Sequence, residues 1–238
     1  MKNCQKRKWL WIGLAGIVLL LALSFFLYTG NYYHADETAA AALEADETVA
    51  VTETEFGWLF DGPSDSDCLI FYPGAKVEET AYAPLLHSLA AEGMDVCLVK
   101  MPFRLAIFGM NRADDLMAEY DYPHWYIGGH SLGGAIAADY AASHGQQLTG
   151  VVLLAAYATK PLDGHLLVTS IYGSEDEVLN MKKLEEGDQY LPANAGRYQI
   201  EGGNHAQFGN YGPQQGDGEA AITPEEQQAQ TVKLIIGR

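Results

Sequence analysis

Residues 126–138 read "YIGGHSLGGAIAA", with a single serine set between paired glycines. At its centre, Gly129-His130-Ser131-Leu132-Gly133 follows the pattern Gly-x-Ser-x-Gly. That pattern carries chemistry where it joins a strand to a helix, because the sharp turn lifts the serine hydroxyl clear of both elements. A serine held in such a turn takes a strained backbone conformation, so its neighbours must be small. Gly129 and Gly133 clear the space on either side, and Gly134, Ala135, Ala137 and Ala138 let the following helix lie close to a sheet. In so glycine-rich a chain the same pattern also describes a structural bend or a phosphate-binding turn, so context decides.

A serine hydroxyl becomes a useful nucleophile beside a base. Of the seven histidines, His87 and His144 fall in helical stretches, His124 and His165 lead into strands, and His34 follows the apolar N-terminus. His130 adjoins Ser131 in the elbow, with its side chain expected to point away along the turn. His205, in "IEGGNHAQFG" (200–209), follows the last strand-like run. The base stands there in the chain order serine, acid, histidine. A carboxylate must then fix the imidazole tautomer and stabilise the imidazolium. The run "HLLVTSIYG" (165–173) leads into "GSEDE" (173–177), where Asp176 is placed to reach the His205 loop and Glu175 and Glu177 are expected to face elsewhere. Donors for an oxyanion complete the set. The N–H of Leu132 is one, and "YPGAKVE" (72–78) supplies another from Ala75 or Gly74. Such donors stabilise a tetrahedral intermediate by about 3–4 kcal/mol each. Lys76 either adds positive potential there or is simply solvated.

Those residues need a frame that gathers them. Short apolar runs at 67–74, 95–102, 124–129, 148–157, 165–173 and 196–203 alternate with helical patterns at 78–93, 111–120, 132–145 and 223–237. Thr223 and Glu226 form a capping-box pattern, with Pro224 at the first helical position. Residues 49–60 alternate and predict one or two edge strands, and 34–46 predict a short helix. Nearly continuous apolar strands alternating with helices predict a parallel sheet covered on both faces, with ligands at the carboxyl ends of its strands.

The chain has 238 residues, 48 % of them hydrophobic, enough for one domain with a substantial core. Lys2, Lys6, Arg7 and Lys8 precede an uncharged stretch from Trp9 to Tyr28. Its 20 residues span about 30 Å as a helix, enough to cross a bilayer, with aromatic residues at both ends. The organisation expected is a cytoplasmic basic segment (1–8), a transmembrane signal-anchor (9–28), a juxtamembrane helix or linker (29–48) and an extracytoplasmic domain (49–238). The alternative is a signal peptide, although the apolar core is long and no clear cleavage site follows it. After residue 28 the chain carries 10 basic and 31 acidic residues, a net of −21, which repels nucleic acid and anionic headgroups. Cys4 falls on the cytoplasmic side of the span. Cys68 and Cys97 fall in strand-like runs, either as free core thiols or as one disulfide.

The stretches "FYPGAKVEETAYAPLL" (71–86), "GGHSLGG" (128–134), "YGSEDEVL" (172–179) and "GGNHAQFGNYG" (202–212) resemble the α/β-hydrolase family, over residues 50 to 238. More narrowly they resemble compact, membrane-anchored bacterial members related to dienelactone hydrolases. The resemblance implies an α/β-hydrolase fold with a mostly parallel eight-stranded sheet. It also implies a Ser131–His205–Asp176 triad, a small-molecule acyl substrate, and no metal or organic cofactor. Two departures bear on this. Dienelactone hydrolases typically use a cysteine nucleophile, where this chain has Ser131. Many relatives insert a lid that the seven residues between Tyr157 and His165 cannot form, leaving the loop 206–221 to cover the site, with Phe208 and Tyr211 facing an acyl group or packing inward. The expected activity is ester hydrolysis. An amidase, peptidase or acyltransferase on the same residues, or a binding module that has lost catalysis, are the alternatives.

Overall fold

The computed structural model describes residues 2–237, and of residues 2–8, 10 and 12 the backbone alone. The side chains of the basic cluster Lys2, Lys6, Arg7 and Lys8, and the thiol of Cys4, lie outside the described residues. The chain divides after Tyr32 into two units. In the first, helix α1 (Lys2–Gly30) contains the apolar stretch, and Gly13–Gly30 within it has a mean hydropathy of 2.0. Leu19, Leu20, Leu21 and Leu27 expose most of their surface. Among the described residues this is the one helix long and apolar enough to cross a membrane.

The second unit runs from Tyr33 to the C-terminus and begins with α2 (Glu37–Ala41), whose first turn Asp36 caps by accepting the Ala39 N–H. The Tyr33 N–H donates to Lys76 O at 2.8 Å, and Glu78 N–H donates to Tyr33 O at 2.9 Å. From Tyr33 onward, then, the segment read as a linker is paired with the domain.

Eight strands form one sheet: β1 (Ala50–Thr54), β2 (Gly57–Asp61), β3 (Asp67–Tyr72), β4 (Asp95–Val99), β5 (His124–His130), β6 (Gly150–Leu154), β7 (Leu167–Gly173) and β8 (Gly196–Ile200). Their order is β1-β2-β4-β3-β5-β6-β7-β8. The first two form an antiparallel hairpin, β2 also runs antiparallel to β4, and the remaining pairs are parallel. Further helices are α3 (Ala83–Ala91), α4 (Arg112–Glu119), α5 (Leu132–His144), α6 (Met181–Gly187) and α7 (Pro224–Ile236).

Alternation along the strands explains the layers, since successive side chains point to opposite faces. On β3, Leu69 and Phe71 join a core built with Leu85, Leu86 and Leu89 of α3 and Val232 and Ile235 of α7. Cys68, Ile70 and Tyr72 point the other way, into a core with Leu116 of α4 and Ala137 and Ala141 of α5. Cys68 and Cys97 are free buried thiols with sulfurs 3.6 Å apart, and burial pushes the Cys68 thiol well above its ordinary range. The chain from β6 to β7 crosses residues 155–166 without a helix. At α7 the capping box forms as its sequence indicates, with Thr223 Oγ1 accepting the Glu226 N–H and the Glu226 carboxylate accepting the Thr223 N–H.

Candidate active site

Parallel strands place their carboxyl ends along one rim, and β5 delivers Ser131 there. Ser131 takes φ 53° and ψ −123°, a left-handed conformation that a non-glycine residue adopts only under constraint. The constraint comes from both sides: Ser131 N–H donates to Leu154 O of β6 at 2.9 Å, and Ala135 N–H donates to Ser131 O at 3.0 Å. A Cβ on Gly129 would sit 2.2 Å from Tyr72 O, and one on Gly133 would sit 2.2 Å from Tyr72 O and 2.3 Å from Pro73 O. The two glycines therefore allow α5 to start hard against the end of β3.

Leu132 opens α5, so its N–H is one of the donors that a helix start leaves without an intrahelical acceptor. Across the gap lies the loop after β3. Gly74 N–H is donated to Tyr82 Oη at 3.0 Å, while Ala75 N–H has no acceptor among the described residues. Of the two residues expected to supply the second donor, Ala75 is the one whose N–H is left open. Lys76, with φ 58°, ties this loop to the next one through its N–H to Arg104 O at 2.9 Å.

His205 and Asp176 meet. Asp176 follows β7, and its Oδ2 lies 2.9 Å from His205 Nδ1, the two side chains being 0 % and 2 % exposed. Asp176 Oδ1 accepts the N–H groups of Val178 at 3.0 Å and Leu179 at 2.8 Å, which fixes the carboxylate plane. Glu177 is exposed, and the half-buried Glu175 accepts from the Ser174 hydroxyl. The Asp176 carboxylate accepts, so His205 Nδ1 is the donor and in the neutral imidazole Nε2 carries the lone pair; Nε2 is buried with no hydrogen-bond partner among the described residues. No hydrogen bond joins Ser131 to His205; the His205 ring instead lies against that of His130, the residue before Ser131, with centroids 4.5 Å apart. Catalytic hydrogen bonds are often open without substrate and close in the Michaelis complex.

His130 does not point away along the turn. The β5 pleat puts it on the same face as Tyr126, toward α3 and α7, where it is 1 % exposed. Its Nδ1 lies 2.8 Å from Tyr82 Oη, and burial holds its pKa well below the ordinary histidine range. Phe208 and Tyr211 turn inward too, at 0 % and 7 % exposed, so of the two readings for these aromatics the packing one describes the structure. Their loop folds under itself because Asp217 gathers it. The Asp217 carboxylate accepts His205 N–H at 3.2 Å and Ala206 N–H at 2.8 Å. Gln227 of α7 braces the same loop, accepting the Asn204 N–H and donating to Asn204 O.

Sequence reasoning did not single out Tyr82, Asp217 or Gln227. Nor did it find the apolar rim at 102–110, where Phe103, Ile107 and Phe108 are 45 %, 48 % and 49 % exposed. This segment packs on α5 and is held by the Lys76–Arg104 bond and by Tyr72 Oη donating to Met110 O at 2.8 Å. Its one legible signal is five large apolar residues, Phe103, Leu105, Ile107, Phe108 and Met110, in a loop, since Phe103 and Phe108 otherwise read as core. Among the described residues no group of three or more histidine, cysteine, aspartate and glutamate side chains is arranged to hold a metal ion.

The family model described as the alpha/beta hydrolase family matches residues 68–229. No curated protein matches the chain. Among solved structures, carboxyl esterase 2 from the mycorrhizal fungus Tuber melanosporum is similar at 12 % identity and TM-score 0.60, over 87 % of this chain and 89 % of that one. Carboxylesterase CesB from Bacillus subtilis is similar at 10 % identity and TM-score 0.57, over 91 % of this chain and 98 % of that one. A dienelactone hydrolase from Anabaena variabilis is similar at 13 % identity and TM-score 0.56, over 81 % and 95 %. At these identities the likeness is one of fold.

Proposed function

The chain belongs to the alpha/beta hydrolase family, and from that premise we propose that it is a serine hydrolase that cleaves a carboxylic ester through an acyl-enzyme. The observation that carries this reading is the buried Asp176–His205 pair, whose open Nε2 lies beside the residue that precedes a strained Ser131. In this reading Ser131 Oγ attacks the ester carbonyl carbon while His205 Nε2 takes its proton. Asp176 stabilises the imidazolium, and the N–H groups of Leu132 and Ala75 receive the oxyanion. The tetrahedral intermediate collapses by breaking the C–O bond, and His205 returns the proton to the departing alcohol. Water, deprotonated by His205, then splits the acyl-serine by the reverse sequence.

The rim of Phe103, Ile107 and Phe108 favours an ester with an apolar portion, because exposed aromatic and aliphatic groups gathered beside a site gain by covering each other's surface. We also assign α1 as a membrane anchor with residues 1–8 cytoplasmic and the domain outside, on its length, its apolar character and the charges before it. Turnover of a series of p-nitrophenyl esters by the full chain in detergent tests the catalytic reading. The expected result is hydrolysis that Ser131→Ala reduces by at least about 10³-fold. A well-folded protein inactive across the series would refute it.

A further inference from the structure

Tyr82 closes the 3-10 turn Glu79–Tyr82 and is sealed in the core at 0 % exposed. Its hydroxyl does two things at once. It accepts the Gly74 N–H at 3.0 Å and lies 2.8 Å from His130 Nδ1. A phenol has one proton to give. His130 Nδ1 is within reach of that proton, and receiving it makes His130 the neutral tautomer with Nδ1 as acceptor and Nε2 protonated, an Nε2 that is buried without a hydrogen-bond partner among the described residues. Burial independently favours the same neutral form. Gly74 is a glycine for a reason visible here: a Cβ on it would sit 2.8 Å from Tyr82 Oη and 2.9 Å from His130 Nδ1.

One hydroxyl thus ties the loop carrying Ala75 to the residue before Ser131. Besides Val77 N–H donating to Gly74 O at 3.4 Å within the loop, its backbone bonds run to Arg104 O and to Tyr33. Tyr82 supplies the inward tether. The Gly74 N–H is pinned into the core, and the next N–H, that of Ala75, is left without an acceptor among the described residues. A neutral His130 also suits its neighbour, because the His205 ring is 4.5 Å away and becomes an imidazolium during turnover. A cationic His130 would oppose that charge.

We propose that Tyr82 is a positioning residue for the oxyanion hole, setting the Ala75 N–H against the Leu132 N–H and holding His130 as a neutral wall behind His205. This rests on Ser131 being the nucleophile. No group of Tyr82 need touch the substrate; it acts through Gly74 and His130.

Tyr82→Phe tests it, because the ring keeps its place against Phe71, 5.1 Å between centroids, and only the hydroxyl is lost. The full chain is assayed on a matched pair of esters, one with a carbonyl and one with a thiocarbonyl at the scissile carbon, after counting active sites with a fluorophosphonate. A thiocarbonyl sulfur is a poor acceptor and draws little from the hole, so the oxo-to-thiono ratio reports the hole itself. The expected result is a kcat per titrated site on the oxo ester lower by about 10- to 100-fold, with little change in KM and the oxo-to-thiono ratio falling by the same factor. Gly74→Ala, which crowds the same bond, should reproduce that signature. An unchanged ratio in both variants, with loss confined to stability or to the titrated fraction, would overturn the proposal. Failure of the parental protein to titrate or turn over would overturn the nucleophile reading, and this proposal with it.

Discussion

Replacing Asp176 by asparagine changes almost no volume and should nonetheless stop the enzyme. The reason lies in who donates to whom. Asp176 Oδ1 accepts two backbone N–H groups, from Val178 and Leu179 at 3.0 and 2.8 Å. In the asparagine the carbonyl oxygen must stay with them, since the opposite rotamer would set an NH2 against two donors and cost about 1–3 kcal/mol for each group left unpaired. The amide nitrogen then occupies the Oδ2 position, 2.9 Å from His205 Nδ1 in the parent. It can only donate. His205 must therefore carry its proton on Nε2, the atom required to accept from Ser131. With geometry kept and the tautomer reversed, kcat should fall by about 10⁴, or about 5 kcal/mol of transition-state stabilisation. Ester kcat per titrated site measures the loss, and the ¹⁵N shifts of the His205 ring report the tautomer directly. A variant within tenfold of the parent, or one whose His205 keeps its proton on Nδ1, would refute this account of the pair.

Three further outcomes follow from the same geometry. Gly133→Ala drives a Cβ to 2.2 Å from Tyr72 O and 2.3 Å from Pro73 O; unfolding in denaturant should show a loss of about 1–3 kcal/mol, and ester kcat should drop with it, whereas parental values for both would contradict the close-approach reading. His130 has a depressed folded pKa, so its neutral form stabilises the fold above the unfolded value of about 6.5, and that contribution is lost as pH falls below it. Urea melts of the parent and of His130→Asn between pH 7.5 and 5, a range chosen to bracket that value of about 6.5, should show the parent losing stability faster on acidification, by up to about 1.4 kcal/mol per pH unit, and parallel curves would contradict the burial argument. Phe108→Ser should lower kcat/KM for an octanoyl ester about tenfold more than for an acetyl ester, as expected if roughly 50 Å² of acyl surface is covered there; equal losses would remove the rim from substrate binding.

What could be read in the sequence was what is local or ordered along the chain. The strand–turn–helix around Ser131 is encoded within 126–145, because the elbow's glycines and the helix's alanines are consecutive. Asp176 and His205 follow from which strands end before them, and the structure brings those two into contact at 2.9 Å. Contacts between distant residues with no fixed spacing were not legible. Tyr82 and His130 lie 48 positions apart, and nothing in "EETAYAPLL" marks one tyrosine as the partner of an elbow histidine. His130 was expected to point along the turn because only the turn was in view; the β5 pleat, a property of the strand, decides its direction. Phe208 and Tyr211 gave no local sign of facing inward either, since Asp217, nine residues beyond Phe208, is what folds their loop under.

In the proposed reaction Ser131 becomes covalently acylated. Intact-mass spectrometry of the full chain after a fluorophosphonate, followed by peptide mapping, tests it most directly. The expected result is a single adduct on the peptide containing Ser131, absent in Ser131→Ala and formed far more slowly in Asp176→Asn. An adduct on another residue, or one that survives Ser131→Ala undiminished, would contradict it.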